Sequence, residues 1–409
     1  MDDYHQRWLE SRLREALADT PVVLLNGARQ TGKSSMAQRH AGRPGDRYVT
    51  LDDPTELAAA QTDPVSFCQH DSGLLVIDEV QKAPGLFAAI KREVDRNRRP
   101  GRYLLTGSAD IMLLPQAAES LAGRMEILSL QPLARGEIEH TKPRFIERLF
   151  ANKPEALTPG GEPSLAERVV SGGYPEAQQR RSAARRQAWF DAYVATITQR
   201  DIRDWSNIAD LTALPRLLHL IALRSGALTN VAELARSSGV AQATLHRYMT
   251  LLEASFLYQP LPAWHANLGK RLIKAPKAYL LDSGLACALS GTGNAATVTQ
   301  AHHYGGLLET WVLGELRREA AAQPSPPRLF HYRSAGGVEV DFVIEDNAGR
   351  VAGVEVKATR TLGEKHFDGL RDLQKGLGER FHCGVVLYGG EQRVRFGERL
   401  WGVPMGGGG

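Results

Sequence analysis

Blocks of about four apolar residues recur along the first 130 positions, at 22–25, 48–51, 74–77, 103–106 and 127–130, each running into small or polar residues. The first block reads as a buried parallel strand and the others, short and mostly apolar, as further strands, with mixed segments between them long enough for helices. The pattern predicts an α/β fold around a parallel sheet. Ahead of it, Trp8, Leu9, Leu13 and Leu17 fall at helical spacing and predict a helix over 4–18.

The pattern then changes. The stretch 152–163, NKPEALTPGGEP, has the Pro, Gly and polar content of a linker or long loop. Further on, Val231, Leu234 and Ala235 predict a short helix, Ser237 to Val240 a tight turn, and Thr244, Leu245, Tyr248, Leu251 and Leu252 a second helix with an apolar face. This is helix-turn-helix spacing with a glycine, Gly239, where the turn needs it. A strand over 256–261 and a basic stretch containing Lys270, Arg271, Lys274 and Lys277 make the unit look winged. In the last third, period-two alternation at 338–344 and 351–357, separated by the turn sequence DNAG, predicts a hairpin. The expected organisation is a phosphate-loop domain over 1–150, a helical linker or lid over 151–225, a winged-helix domain over 226–290 and a further α/β domain over 291–405.

Composition adds limits. The 409 residues are 43% hydrophobic and 23% charged, with a formal charge of only +4, so any affinity for nucleic acid has to come from local patches. Arg180, Arg181, Arg185 and Arg186 form one such patch, although charge clusters are usually solvated faces. Three widely spaced cysteines (Cys68, Cys287, Cys383) suit a reducing cytosol and argue against a disulfide framework or a cysteine zinc site. No apolar run approaches membrane-spanning length and the first twenty residues lack a signal-peptide core, so the expectation is a cytoplasmic protein with no membrane partner.

The chemistry begins where the first apolar block ends. Gly27, Ala28, Arg29, Gln30, Thr31, Gly32, Lys33 and Ser34 fill every position of the GxxxxGK[ST] phosphate loop. Its glycines let successive amides face phosphate oxygens at the start of a helix, so these residues and Ser35 are the expected nucleotide-binding set. Lys33 would reach the β- and γ-phosphates and Ser34 would ligate Mg²⁺. The block at 74–77 runs into Asp78 and Glu79, a Walker B pattern in which Asp78 helps hold Mg²⁺ and Glu79 orients or deprotonates the attacking water. Thr106 and Ser108, at the end of the next strand, are placed to sense the γ-phosphate or the water beside it. Arg124 reads either as an arginine finger offered to a neighbouring subunit or as a surface arginine.

A second constellation lies in the predicted hairpin. Glu339 and Asp341 share one face of the first strand, and Glu355 and Lys357 share one face of the second. If the turn is centred on Ala348, Asp341 lies across from Glu355 and Glu339 across from Lys357; a register one residue different makes these pairs diagonal and still assembles the polar face. Two carboxylates so placed can hold Mg²⁺, with Lys357 stabilising charge at a phosphoryl centre and Glu309, on an amphipathic helix upstream, adding a third acid. A solvated hairpin face crossed by salt bridges is the other reading. The Asp, then Glu-x-Lys, arrangement is similar to the PD-(D/E)XK nuclease core, although Val340 stands where that pattern carries proline.

GARQTGKS, LLVIDEVQ, LLTGSAD, LAGRMEILSLQPLARGE and SGGYPEAQ, in this order, resemble the bacterial and archaeal AAA-type ATPases that carry a DUF4143 C-terminal region, over nearly the whole chain. The resemblance implies a P-loop AAA+-type parallel-sheet core followed by a winged-helix unit and a restriction-endonuclease-like α/β domain. It also implies ATP and Mg²⁺ as cofactors and association with nucleic acid, DNA in the first instance. Together with the placing of Arg124 it raises the expectation of a homo-oligomer. Two functions fit: an ATPase acting on DNA whose nuclease-like domain cuts or grips it with Mg²⁺, or a non-cleaving, ATP-gated regulator or scaffold.

Overall fold

The computed structural model describes residues 4–108, 121–205, 211–267, 269, 271 and 274–406. The chain divides into two compact units. The first contains Leu9–Pro132 with Leu252–Leu257, and the second contains the residues up to Trp8, Leu133–Leu251 and the chain from Tyr258 onward. The helical segment, the helix-turn-helix and the C-terminal sheet, expected from sequence as separate domains, are grouped in that second unit.

The first unit is built on five strands, β1 (Val22–Asn26), β2 (Arg47–Thr50), β3 (Leu75–Asp78), β4 (Tyr103–Gly107) and β5 (Met125–Ser129). All neighbours are parallel, in the order β2-β3-β4-β1-β5. β1, β3 and β4 are buried along their whole lengths, which is why their sequences show no alternation. The helix Gly85–Arg96 lays Leu86, Phe87, Ile90 and Val94 into the same core as Leu24, Ile77 and Leu105. The order sets the carboxyl ends of β1, β4 and β3 side by side, where ligands of open parallel sheets bind.

In the second unit, Asn230 caps the helix Val231–Ser238 by accepting from the Glu233 amide, 3.1 Å away. Gly239 ends that helix at φ +78°, a conformation glycine adopts without strain. The helix Gln242–Ala254 follows, and then β6 (Tyr258–Leu261) pairs antiparallel with β7 (Lys277–Leu280). Helix, turn, helix and first strand therefore occur in the order the sequence predicts, and β7, which begins at the end of the basic stretch, adds a second strand.

The C-terminal sheet has the order β12-β13-β11-β10-β9-β8. It comprises β8 (Arg328–Arg333), β9 (Glu339–Glu345), β10 (Val351–Lys357), β11 (Phe381–Tyr388), β12 (Val394–Arg395) and β13 (Leu400–Pro404). β10, β11 and β13 run parallel and the remaining pairs are antiparallel. The amphipathic helix Asp368–Leu377 packs Leu370 and Leu373 against Val340, Val343 and Val351, and Gly353 has no Cβ because Leu370 lies over it. The long helix Tyr304–Ala322 also packs against β10 and buries Leu308, Val312 and Leu316. Helical cover makes β9 and β10 buried almost throughout, so the hairpin face is enclosed rather than solvated.

Two further stretches gain a structural account. The stretch 152–163 is tied down: Leu157 and Thr158 donate backbone hydrogen bonds to Pro404 and Met405, and Arg168 donates to the carbonyls of Pro159, Gly161 and Pro163. The SGGYPEA element has a packing role. At Gly172, φ is +66° and a side chain would strike the Asp282 carboxylate, which accepts from the Gly173 amide at 2.7 Å, while Tyr174 is enclosed by Trp189, Phe190 and Tyr193.

Candidate functional site

β1 ends at Asn26 and the chain turns through Gly27, at φ +147°, where any side chain would run into the Leu130 carbonyl at the end of β5. Ala28 is buried, Arg29 half-buried and Gln30 exposed, the last in the left-handed region at φ +60°. Thr31 folds inward and donates to the Ala28 carbonyl at 2.9 Å. Gly32, also left-handed at φ +95°, immediately precedes the helix Lys33–His40. The chain thus makes the glycine-dependent turn into a helix amino terminus that phosphate oxygens require. Lys33 is buried and donates to the Ala28 carbonyl at 2.8 Å. Burial lowers its pKa to about 8, against the opposing pull of the Glu79 and Asp78 carboxylates. Ser34 faces β3, while Ser35 is exposed on the first turn of the helix.

Asp78 is held by hydroxyls. Ser34 Oγ donates to Oδ1 at 2.9 Å, Tyr48 OH to Oδ2 at 3.0 Å and Thr50 Oγ1 to Oδ2 at 3.4 Å, and Thr106 Oγ1 also bonds to Oδ1. The β2–β3 register, which pairs Thr50 with Asp78, brings Tyr48 and Thr50 to this point. Glu79, next along the chain, adopts φ +60°, and its amide donates to Thr106 Oγ1 at 3.0 Å. Its carboxylate accepts from Ser108 Oγ at 2.8 Å and from Gln81 Nε2, which also donates to Ser108 at 3.0 Å. Thr106 and Ser108 therefore act on Asp78 and Glu79, fixing the Walker B acids. Tyr48, Thr50 and Gln81 were not expected from sequence, and the one available signal was the pair of hydroxyl residues two apart on the strand at 48–51.

Arg124 stands elsewhere. Its carbonyl accepts from the Val22 amide at the start of β1, the opposite end of the sheet from the phosphate loop. Its guanidinium donates to Asp95 at 2.7 Å and to the Ala122 carbonyl at 3.2 Å.

The second constellation assembles in the second unit. The β9–β10 ladder runs from Val351↔Glu345 to Val354↔Phe342, the register of a turn centred on Ala348. Beyond it the side chains take over the pairing: the Asp341 amide donates to Glu355 Oε2 at 3.3 Å and the Val356 amide to Asp341 Oδ2 at 3.0 Å. Asp341 and Glu355 are only 7% and 9% exposed. Lys357 Nζ lies 2.6 Å from Glu355 Oε1. Glu339, expected across from Lys357, instead pairs with Arg333 at 3.1 Å.

Glu309, on the helix Tyr304–Ala322, accepts from Tyr279 OH at 2.8 Å and from Lys277 at 3.2 Å. Lys277 also lies 2.9 Å from Asp341 Oδ1. Burial, with the Asp341 charge behind it, raises Glu309 to about 7 and Glu355 to about 8. Burial works against the Lys277 ammonium, but Asp341 and Glu309 outweigh it and hold its pKa above the ordinary lysine value. Among the described residues no three acidic, histidine or cysteine side chains converge as a ready-made metal cluster.

Lys277 and Tyr279 were missed as members of this centre. In sequence Lys277 belongs to a basic stretch, but that stretch is partly internal. Arg271 is buried, 2.7 Å from Glu345, and Lys277 is buried because the acids it neutralises are; Lys274 is exposed and Lys270 lies outside the described residues. Likewise Arg186 of the earlier basic patch is buried and paired with Glu167 at 3.1 Å. Among the described residues no helix is long and apolar enough to cross a membrane.

Comparison with known proteins agrees with this layout. Residues 19–139 match an AAA domain, 162–296 a domain of unknown function (DUF8612) and 304–406 a domain of unknown function (DUF4143). The chain is 32% identical over 397 residues to uncharacterized proteins of Mycobacterium bovis (Mb2031c) and Mycobacterium tuberculosis (Rv2008c), an alignment spanning 96% of this chain and 82% of each of those. Among solved structures, the RuvB Holliday junction branch migration motor of Thermotoga maritima aligns at 17% identity and TM-score 0.30, covering 62% of this chain and 89% of its own. The Aeropyrum pernix ORC1 protein in complex with DNA aligns at 14% identity and TM-score 0.27, covering 71% and 95%. A P-loop sheet matching the AAA domain, a mixed sheet matching the C-terminal domain and an almost full-length relationship identify the chain as a member of the AAA-type ATPase family that carries a C-terminal DUF4143 domain.

Proposed function

We propose that this protein binds and hydrolyses ATP at the phosphate loop and uses the cycle to act on DNA through its second unit. The observation that carries the ATPase reading is the arrangement around Asp78 and Glu79, two buried carboxylates that, among the described residues, accept from neutral donors. Their negative charge lies at the end of the strand beside the phosphate loop, within reach of the Lys33 ammonium, whose pKa they raise against burial. Ser34 and Asp78 are the residues suited to hold Mg²⁺, which would supply charge neutralisation at the phosphates. Loop amides and Lys33 bind and orient the triphosphate, and Glu79, aimed by Ser108 and Gln81, takes a proton from the attacking water.

Two surfaces support DNA as the target. Gln242, His246 and Arg247 are exposed on the second helix of the helix-turn-helix, the position from which a winged helix reads a groove. A groove of about 530 Å³ is lined by Lys274, Arg333, His265 and Tyr332, cations and rings suited to a phosphate backbone and its bases. For the nuclease-like centre the reading favoured is the non-cleaving one, in which the domain grips DNA, because the oxygens of Asp341 and Glu355 are already engaged by protein donors. Arg124, remote from its own phosphate loop, serves a neighbouring copy if it serves hydrolysis at all.

The test is ATP turnover measured with and without single-stranded, duplex and branched end-labelled DNA, in Mg²⁺ or Mn²⁺. Turnover stimulated by DNA that stays intact is the expected result. Strand scission that disappears in Lys357→Ala would replace gripping with cutting, and turnover indifferent to every DNA would remove DNA as the target. Specific activity that rises with protein concentration is the expected sign of Arg124 working in trans.

A further inference from the structure

The centre formed by Glu309, Asp341 and Glu355 has the acids of a divalent-metal site but not its charge balance. Three carboxylates face two ammonium groups, Lys277 and Lys357, and the ion pairs are close: 2.9 Å from Lys277 to Asp341, 3.2 Å from Lys277 to Glu309 and 2.6 Å from Lys357 to Glu355. Each of the four oxygens of Asp341 and Glu355 accepts from the protein, from Lys277, Lys357 and the amides of Asp341 and Val356. A hard cation such as Mg²⁺ binds through oxygen ligands whose negative charge offsets the cost of stripping its water. Here that charge is spent on lysines. The residues as arranged do not fit a divalent metal.

We propose that the Lys277 ammonium is the resident cation of this centre, occupying the place between Glu309 and Asp341 that a metal ion would take. The position of Lys277 in the chain is what makes this specific. It does not belong to the C-terminal sheet or to the helix that supplies Glu309, but opens β7, the second strand of the hairpin that follows the helix-turn-helix. Tyr279, two residues on and on the same face of β7, donates to Glu309 as well, so the hairpin grips this acid at two points. With Lys277 only 3% exposed, its charge has no route to water and depends on the two carboxylates. Lys277 is thus a positioning residue: it fixes Asp341 and Glu309 relative to each other and ties the acidic centre to the hairpin beside the helix-turn-helix. The inference deepens the non-cleaving reading and rests on it. It would survive the loss of DNA as a target, because it concerns a cation and not a nucleic acid.

The experiment is Mn²⁺ binding to the full-length, nucleotide-free protein, followed by the loss of the free-ion electron paramagnetic resonance signal. Wild type, Asp341→Asn, Lys277→Met and the double variant Lys277→Met/Asp341→Asn are compared. The expected result is at least tenfold tighter Mn²⁺ binding in Lys277→Met than in wild type, abolished in the double variant. Wild-type binding that Asp341→Asn removes would overturn the proposal, as would a folded Lys277→Met protein that gains no site. Lys277→Gln serves if the methionine variant does not fold. Crystals of wild type grown in Mn²⁺ give an answer independent of any variant: ammonium density bridging Glu309 and Asp341 without an anomalous peak supports the assignment, and a Mn²⁺ peak ligated by both acids refutes it.

Discussion

At the end of β3 and again on β9 and β10, a pair of buried carboxylates sits close to a lysine, yet the groups that hold the two pairs differ in charge. Asp78 and Glu79 are oriented by hydroxyls and an amide, from Ser34, Tyr48, Thr50, Thr106, Ser108 and Gln81, while Lys33 bonds to a carbonyl. Asp341 and Glu355 are held by ammonium groups and backbone amides. Neutral donors fix the direction of a carboxylate and leave its charge in place, whereas an ammonium a few ångströms away cancels most of that charge. Among the described residues, centres that contain the same residue types are therefore held in different ways, the first by neutral donors with Lys33 nearby and the second by ammonium groups in direct contact.

Substitutions can break this contrast. The largest effect belongs to Lys33→Ala, expected to slow ATP turnover about a thousandfold by removing a preorganised charge at the phosphates. The C-terminal sheet should keep its denaturation midpoint, and turnover near the wild-type rate would end the assignment of the phosphate loop. Next comes a matched pair. Asp341→Asn leaves Lys277 buried with one carboxylate and should cost about 3 kcal/mol of stability in the second unit. Asp78→Asn disturbs hydroxyl contacts, leaves Glu79 to act on Lys33, and should cost on the order of 1 kcal/mol in the first. Equal losses in denaturant titrations would erase the distinction drawn between ammonium and hydroxyl support.

Glu319 sharpens the comparison from a third side, as a buried acid that accepts from the Ile146 amide at 2.7 Å and whose pKa burial raises to about 8. Because the folded-state value lies above the unfolded one, the contribution of Glu319 to stability should be fully present below the ordinary carboxylate range and be lost as pH rises toward about 8. Glu319→Gln should flatten that fall and gain on the order of 2 kcal/mol at the alkaline end; a pH-stability curve unchanged by the substitution would contradict it. The smallest effect is expected at Ser108→Ala. Loss of one support of Glu79 should slow turnover about tenfold, roughly 1.4 kcal/mol, with ATP affinity preserved. A changed affinity with unchanged turnover would place Ser108 on the nucleotide rather than on Glu79.

The parallel sheet and the phosphate loop were legible in the sequence because both are local: an apolar block and the residues that follow it carry their own meaning. The hairpin itself was legible too, and of the registers the DNAG turn allows the structure has the one centred on Ala348, with Glu339 drawn to Arg333 instead of Lys357. The partners were hidden. Tyr48 and Thr50 reach Asp78 only because β2 neighbours β3, and nothing in the chain announces that order. Lys277 lies 64 residues from Asp341 and 32 from Glu309 in a basic stretch that reads from sequence as part of a winged unit. Its role depends on where a hairpin docks, which is tertiary information. The glycines of SGGYPEA are conspicuous in the sequence but interpretable only with Asp282, more than a hundred residues away, which fills the space beside Gly172 and accepts from the Gly173 amide.

The tie between Thr158 and Met405 bears on how the protein is made. Its hydrogen bond spans 247 residues, so Leu157 and Thr158 leave the ribosome long before the strand that receives them exists. At typical synthesis speeds of 5–20 residues per second the wait is roughly 12 to 50 s. The sheet of the first unit, whose strands all lie within 22–129, can close in that interval. The second unit cannot, and until its last strand emerges the segment around 157 is exposed to proteases and holding chaperones, from which the finished fold protects it.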